Sequence, residues 1–261
     1  MTVFVFDIET VPDVAAGRRL YELNDLNDKE VGDVMFHKRR QETGDSEFLR
    51  HHLHRIVAIS IVMWSPDLFK VWSLGDTDAD EREIIGRFFE GIERYTPVLV
   101  SWNGGGFDLP VLHYRSLLHG VQAPRYWETG DDDNSFRWNN YLSRYHARHT
   151  DLMDVLAGYQ PRANAPLDEM ATLLGLPGKM GMHGARVWDS FLEGKIEEIR
   201  NYCETDVLNT YLVYLRFELL RGRLTAKSHQ QRCRQVREYL KSSGLTHLEA
   251  FERAWPDAEL Q

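Results

Sequence analysis

Asp7 and Glu9 stand two residues apart at the end of Val3-Phe4-Val5-Phe6, a run of β-branched and aromatic residues. Such a run favours a strand, and its continuous apolarity suits a central strand covered on both faces. Side chains at i and i+2 leave the same face of a strand. Two neighbouring carboxylates repel, and each then favours its protonated form. A divalent cation between them removes that conflict, so the pair reads as the start of a metal site at a strand end. The plainer reading is two solvated acids. Asp-x-Glu recurs at Asp28/Glu30, Asp45/Glu47 and Asp257/Glu259, but only the first copy follows a buried-strand pattern.

Asp108 follows Trp102-Asn103-Gly-Gly-Gly-Phe107, where a short apolar strand over 97–101 turns into a helix. Open α/β sheets bind ligands at such junctions. The three glycines are expected to allow close backbone approach and positive φ. Asn103 either holds the turn or faces substrate. The alternative for Asp108 is an acid favoured by the positive end of the helix dipole. Tyr202 and Asp206 lie four apart in the longest helical pattern, 195–220, and so share a helical face. Asp206 borders the apolar stripe, where a carboxylate is costly unless a cation compensates it. The same spacing at Tyr21/Asp25 shows how little that pair says alone. His51, His52 and His54 read either as metal ligands or as packed or solvated histidines. His146 and Asp151, in an Arg/His-rich stretch without helical pattern, read as a coincidental pair.

The elements that position these residues follow from periodicity. The strand opened at Val3 is expected to break at Val11-Pro12. Residues 55–64 and 69–74 read as two further strands, making an antiparallel meander. Helices are expected over 80–95, 109–119, 167–174, 187–192 and 195–220, with two more after Gly222 split near 242–244. Residues 150–156 read as a last strand or a strand–helix junction. Residues 121–148 read as irregular and 178–184 as a loop. The polar stretch 17–55 reads as an insertion of short helices and loop.

Hydrophobic residues make up 43% of the 261, enough for a sizeable core. Cys203 and Cys233 are the two cysteines, with no Cys-x-x-Cys pair, so neither a disulfide framework nor a thiolate zinc site is implied. No signal peptide or membrane span is expected, and a reducing, cytoplasmic setting is the default. A net charge of −9 argues against a broad electrostatic footprint on nucleic acid. It leaves room for an enzyme that grips one strand end. From Arg216 to Lys241 eight basic residues face two acids, a stretch expected either to follow a phosphate backbone or to form a solvated face.

Taken in order, Phe6-Asp7-Ile8-Glu9-Thr10, Trp102-Asn103-Gly-Gly-Gly-Phe107-Asp108 and Tyr202-Cys-Glu-Thr-Asp206 form a specific combination, with Gly178-Lys179, Gly184 and Val187-Trp188 before the last. The combination resembles the three motifs of the DEDD exonucleases in their tyrosine branch (DEDDy). The likeness is to the predicted 3′–5′ exonucleases related to the proofreading domain of B-family DNA polymerases. It implies an α/β, ribonuclease H-like mixed sheet flanked by helices over 1–222, with 17–55 inserted and 223–261 a helical C-terminal extension. It implies Asp7, Glu9, Asp108 and Asp206 as ligands to two Mg²⁺ or Mn²⁺ ions, with Tyr202 beside the attacking water. In that scheme Asp7 bridges the ions, Glu9 and Asp206 complete the water-activating site, and Asp108 serves the second ion. Thr10, Asn103, Phe107 and Lys179 are the expected substrate contacts, Lys179 equally well a surface-loop residue. The histidine branch would need His at position 201, where this chain has Asn201. An all-oxygen ligand set suits Mg²⁺ or Mn²⁺ over Zn²⁺. The expected reaction is phosphodiester hydrolysis from the 3′ end of single-stranded DNA or RNA. The alternatives are a non-catalytic nucleic-acid-binding module on the same fold, or a hydrolase of very short oligonucleotides or nucleotides.

Overall fold

In the computed structural model, which describes residues 1–256, Val3–Pro12 forms β1, the middle strand of a five-stranded sheet. β2 (His54–Ser65) pairs antiparallel with β1, and β3 (Leu68–Ser73) antiparallel with β2. On the other side β4 (Val98–Ser101) runs parallel to β1, and β5 (His149–Asp151) parallel to β4. The spatial order β3-β2-β1-β4-β5 is the ribonuclease H-like mixed sheet that the resemblance implied. β1 does not break at Val11; it stays paired to Pro12, opposite His54. Proline is tolerated at such a strand end because little pairing follows it.

Among the described residues eleven α-helices pack around the sheet. α1 (Val14–Tyr21) and α2 (Asp28–Thr43) fill the stretch between β1 and β2. α3 (Glu81–Tyr95), α4 (Asp108–His119) and the short α5 (Pro124–Trp127) follow β3 and β4. After β5 come α6 (Leu152–Leu156), α7 (Leu167–Leu173), α8 (Val187–Leu192) and the long α9 (Ile196–Leu220). α10 (Ala226–Ser242) and α11 (Thr246–Ala254) close the described chain. Residues 150–156 are thus a strand–helix junction. Among the described residues no helix is long and apolar enough to cross a membrane.

The alternation of β1 decides what each face meets. Phe4, Phe6 and Ile8 point to one side, into a cluster with Ile84, Ile85, Phe88 and Phe89 of α3 and Leu109, Val111 and Leu112 of α4. Val3 and Val5 point to the other, into a cluster with Val62, Val71, Val100 and, from α9, Val207, Tyr211 and Tyr214. Asp7 and Glu9 continue this second series and therefore face α9. Burying a Val or Phe side chain contributes ~1.5–3 kcal/mol, so two such layers can hold a few acids in an unfavourable place. Val236, Leu240, Leu248 and Phe251 of the last two helices belong to the same cluster as Val3 and Val5. The C-terminal helices are therefore part of the layer that covers the sheet.

Several sequence copies of the acidic motif find ordinary uses. Glu30 closes a capping box at the start of α2, its carboxylate accepting the Asn27 N–H at 2.8 Å. Glu47 pairs with Arg40 at 2.6 Å on the surface. Asp25 is exposed beyond the end of α1 and shares no helical face with Tyr21. The copy at Asp257/Glu259 lies outside the described residues. One buried ion cluster fixes α4 against the sheet: Arg115 donates to Asp13, just past β1, and to Glu81 of α3 at 2.7 and 2.5 Å. Removing one member of such a buried group costs ~3–5 kcal/mol by leaving its partner unpaired.

Candidate active site

Four acids from three elements converge on the α9 side of β1. Asp7 is half-buried, while Glu9, Asp108 and Asp206 are buried. Asp7 and Glu9 sit there through the strand alternation. Next to them β2 carries one extra residue opposite the Glu9/Thr10 step, a bulge at the acid-bearing end of β1. Tyr202, Cys203 and Asp206 are presented by one face of α9. Asp108 is the first residue of α4, and its Oδ1 accepts the Ile8 N–H at 3.2 Å. That bond ties the start of α4 to the strand residue between the other two acids. Among the described residues the tightest group of ligand atoms is Asp7, Glu9 and Cys203, all within 4.8 Å of one another.

The electrostatics match the geometry. Burial, then the charges of Asp108 and Asp206, raise the Asp7 carboxyl well above its ordinary value. Burial, then Asp7 and Asp206, do the same to Glu9. Asp108 is pushed up to about 7 and Asp206 to about 6, each mainly by burial. Burial first, then Asp206 and Glu9, push the Tyr202 phenol upward, so it stays protonated at neutral pH. The Asp206 Oδ1 atom is buried without a hydrogen-bond partner. An acceptor-only set of crowded carboxylates with an orphaned oxygen fits hard divalent cations, which take oxygen ligands and offset the shared negative charge.

The glycine turn differs from the sequence expectation in one respect. Asn103 takes the positive φ, 65°, and none of Gly104, Gly105 and Gly106 does. Gly104 and Gly106 are required by space instead. A Cβ on Gly104 would lie 2.3 Å from Ser101 Oγ, and one on Gly106 would lie 2.4 Å from Asn103 Oδ1. Asn103 therefore shapes the turn, and its carbonyl accepts the N–H groups of Gly106 and Phe107 at 3.0 and 2.9 Å. Asp151, at the end of β5, clamps the same turn by accepting the N–H groups of Asn103 and Gly105, both at 2.9 Å. His146 is engaged elsewhere, its Nδ1 accepting the Asn140 N–H at 3.0 Å.

The expected substrate contacts fall around the acids in different ways. Thr10 Oγ1 bonds His54 Nδ1 at 2.9 Å. The Phe107 ring packs against His54, Phe48 and His51 at centroid distances of 5.1, 5.3 and 5.7 Å. His51 also bonds the Gly106 carbonyl at 2.9 Å, and burial lowers His54 to about 4. These histidines support the turn and pack its aromatic ring. Lys179 is exposed, yet its charge lowers the pKa of Asp7, Glu9 and Asp206. Its loop is fastened to α9 by Asn209, which accepts the Gly178 N–H at 3.2 Å and donates to the Gly178 carbonyl at 2.9 Å. Cys203 and Asn209 were not singled out from the sequence, and Asp151 was read only as half of a coincidental pair with His146. The available signal was helical spacing: Cys203 lies three residues before Asp206 and Asn209 three after it, on neighbouring faces of one helix.

A mixed five-stranded sheet with an acidic cluster on its central strand defines an α/β protein with a candidate cation site. Residues 46–255 match the sequence profile described as predicted 3′–5′ exonucleases related to the exonuclease domain of PolB, and the chain belongs to that family. β1, with Asp7 and Glu9, precedes the matched residues. A DNA polymerase from Archaeoglobus fulgidus is 26% identical over 137 residues, 51% of this chain and 17% of the polymerase. The family B DNA polymerase of the hyperthermophilic archaeon Pyrobaculum calidifontis is similar in structure over 84% of this chain and 24% of that one, with a TM-score of 0.48 and 17% identity. This chain therefore spans a quarter or less of either polymerase.

Proposed function

We propose that the protein is a metal-dependent 3′–5′ exonuclease that hydrolyses the terminal phosphodiester of a single-stranded nucleic acid. The observation that carries this reading is the convergence of Asp7, Glu9, Asp108 and Asp206, whose carboxyls all have raised pKa values. Membership of a family of predicted 3′–5′ exonucleases supports the same reaction. Asp7 would lie between two Mg²⁺ or Mn²⁺ ions, with Glu9 and Asp206 serving one and Asp108 the other. Such a pair of ions supplies an ionised water at neutral pH and relieves charge on the phosphate.

The chain's own groups have distinct tasks in this scheme. Tyr202, one turn before Asp206, keeps its proton and orients the attacking water through its hydroxyl. Its raised pKa argues against a role as general base. Lys179 brings a positive charge to the rim of an otherwise negative site, where a substrate phosphate must approach. The Ile8 N–H holds one oxygen of Asp108, which fixes that carboxyl relative to Asp7 and Glu9.

The test is purified protein with Mn²⁺ on DNA and RNA oligonucleotides of several lengths, labelled at the 3′ or the 5′ end. The expected result is immediate release of the 3′ label as mononucleotide and a descending ladder from the 5′ label. Absence of products, or products unchanged in an Asp7→Ala variant, overturns the proposal. Activity confined to the shortest substrates would make the protein a hydrolase of very short oligonucleotides.

A further inference from the structure

Behind Asp7 lies a row of polar side chains that the scheme above does not use. Asp7 of β1 is in register with Ser60 of β2, and Ser60 with Ser73 of β3. Register partners share a face, so all three side chains leave the sheet toward α9. The layer they enter is apolar, formed by Val5, Val62, Val71 and Val207 among others. Ser60 is 0% and Ser73 5% exposed, so each hydroxyl must find its partners within the protein.

Those partners form a row of adjacent polar groups that ends at Asp7. The Cys203 thiol donates toward Asp7, with Sγ 3.6 Å from Oδ2 and 3.5 Å from the backbone carbonyl, and Ser60 lies beside the thiol. Ser60 Oγ meets Ser73 Oγ at 2.9 Å. Ser73 Oγ donates to Glu204 Oε1 at 2.8 Å, so the proton between the two serines comes from Ser60. The remaining Glu204 oxygen meets His247 Nε2 of α11 at 2.7 Å. The thiol proton is thereby left to the Asp7 side of the row. Two of the five members come from α9, two from neighbouring strands and one from α11, so no single helix or hairpin accounts for their alignment.

We infer that this row, Cys203–Ser60–Ser73–Glu204–His247, is a positioning device for Asp7. The inference rests on the exonuclease reading and adds the support for its central acid. A carboxylate shared between two cations tolerates little freedom, and the groups behind a ligand set its orientation and affinity. Cys203 is the side chain that the structure places as a donor to the Asp7 carboxyl. The row thereby supplies that donor, and α11 holds its far end. His247 also lines the cleft that contains Tyr202, so the last helix reaches both the water-orienting residue and the support of the bridging acid.

The test uses the full chain and two readouts, Mn²⁺ affinity by electron paramagnetic resonance and single-turnover cleavage. Cys203→Ala and Ser73→Ala are each expected to weaken Mn²⁺ binding ~10- to 100-fold, as loss of outer support does in metal sites. Cys203→Ser keeps a donor and should stay within a few fold of wild type. His247→Ala should follow Ser73→Ala, and His247→Gln should restore binding. The Cys203→Ala/Ser73→Ala double variant should be no weaker than the worse single variant, because the row acts as a unit. If Cys203→Ala fails to fold, Ser73→Ala and His247→Ala decide, since neither residue touches Asp7. Wild-type Mn²⁺ affinity in folded Ser73→Ala and His247→Ala overturns the inference and leaves the row as core packing. A wild-type protein that neither binds Mn²⁺ nor cleaves overturns the exonuclease reading and the row with it.

Discussion

Each acid of the cluster sits where its charge is disfavoured, and that has a measurable sign. The carboxyls of Asp108 and Asp206 rise from 3.8 to about 7 and about 6, and those of Asp7 and Glu9 rise as well. The metal-free fold therefore holds protons that the unfolded chain releases above about pH 4. Their stabilising contribution is complete below that pH and is lost as pH rises through the native values. His54, His113 and His149, lowered to about 4 by burial, contribute with the opposite sign. Comparison with Asp7→Asn cancels the histidines. The variant should melt close to wild type near pH 4 and above it at pH 8, both without metal. Equal melting temperatures at pH 8 would show that neither burial nor the neighbouring charges disfavour the Asp7 carboxylate. In turnover, Asp7→Ala should lose at least ~10³-fold, ~4 kcal/mol, as the shared ligand disappears. Tyr202→Phe should lose only ~10- to 100-fold, ~1.4–2.7 kcal/mol, with Mn²⁺ affinity kept. A Phe variant as fast as wild type removes Tyr202 from the mechanism. Period-two spacing marked Asp7 and Glu9, period-four spacing Tyr202 and Asp206, and a strand–helix junction Asp108, and only their combination resembled a known family. Cys203 was not legible, because a cysteine inside a motif looks the same whether it fills space or donates to an acid.

The strand-to-helix turns show what an element contributes beyond its residues. The turn over 103–107 was legible as a junction, but Gly104 and Gly106 serve packing, and the positive φ belongs to Asn103. Composition cannot separate these uses, because glycine meets either need. Asp151 was hidden for another reason. Its hydrogen bonds reach a turn distant in sequence, and only the pairing of β5 with β4 brings the two together. A substitution at Gly104 tests the packing account. Its Cβ would meet Ser101 Oγ, and Ser101 is held in place by a 2.8 Å bond to the buried His149. Gly104→Ala should therefore destabilise the protein by ~1–3 kcal/mol and lower turnover by displacing Asp108. Gly86, inside α3, has nothing within 4 Å of its would-be Cβ. Gly86→Ala should raise stability by ~0.5–1 kcal/mol. Thermal denaturation of the pair checks both, and a Gly104→Ala protein as stable as wild type would mean that the turn has room to relax.

At the scale of the whole molecule, the C-terminal helices combine a packing role with a charge pattern. Their helical character and the break near 242–244 were legible from periodicity. Their place in the core was not, because apolar spacing marks a buried face without naming what covers it. Val236, Leu240, Leu248 and Phe251 each contribute ~1.5–3 kcal/mol of burial, a sum comparable to the ~5–15 kcal/mol that holds a domain together. A chain cut after Gly222 should therefore fail to fold, so truncation is a poor test of strand binding. The charges need a separate experiment in the full chain. Four of the eight basic residues are engaged: Arg221 with Glu218, Arg232 over Trp64, and Arg237 and Lys241 with Glu252. Arg223, Lys227 and Arg234 are exposed and form no ion pair among the described residues. Lys227 and Arg234 lie seven apart on one face of α10. Each phosphate neutralised on a single strand adds ~0.7 to the salt slope of binding. Replacing all three by Gln should then weaken binding of a single-stranded oligonucleotide and flatten the slope by roughly 2, with the melting temperature unchanged. Binding and slope equal to wild type would assign α10 to packing alone and leave Lys179 as the cation that meets the strand.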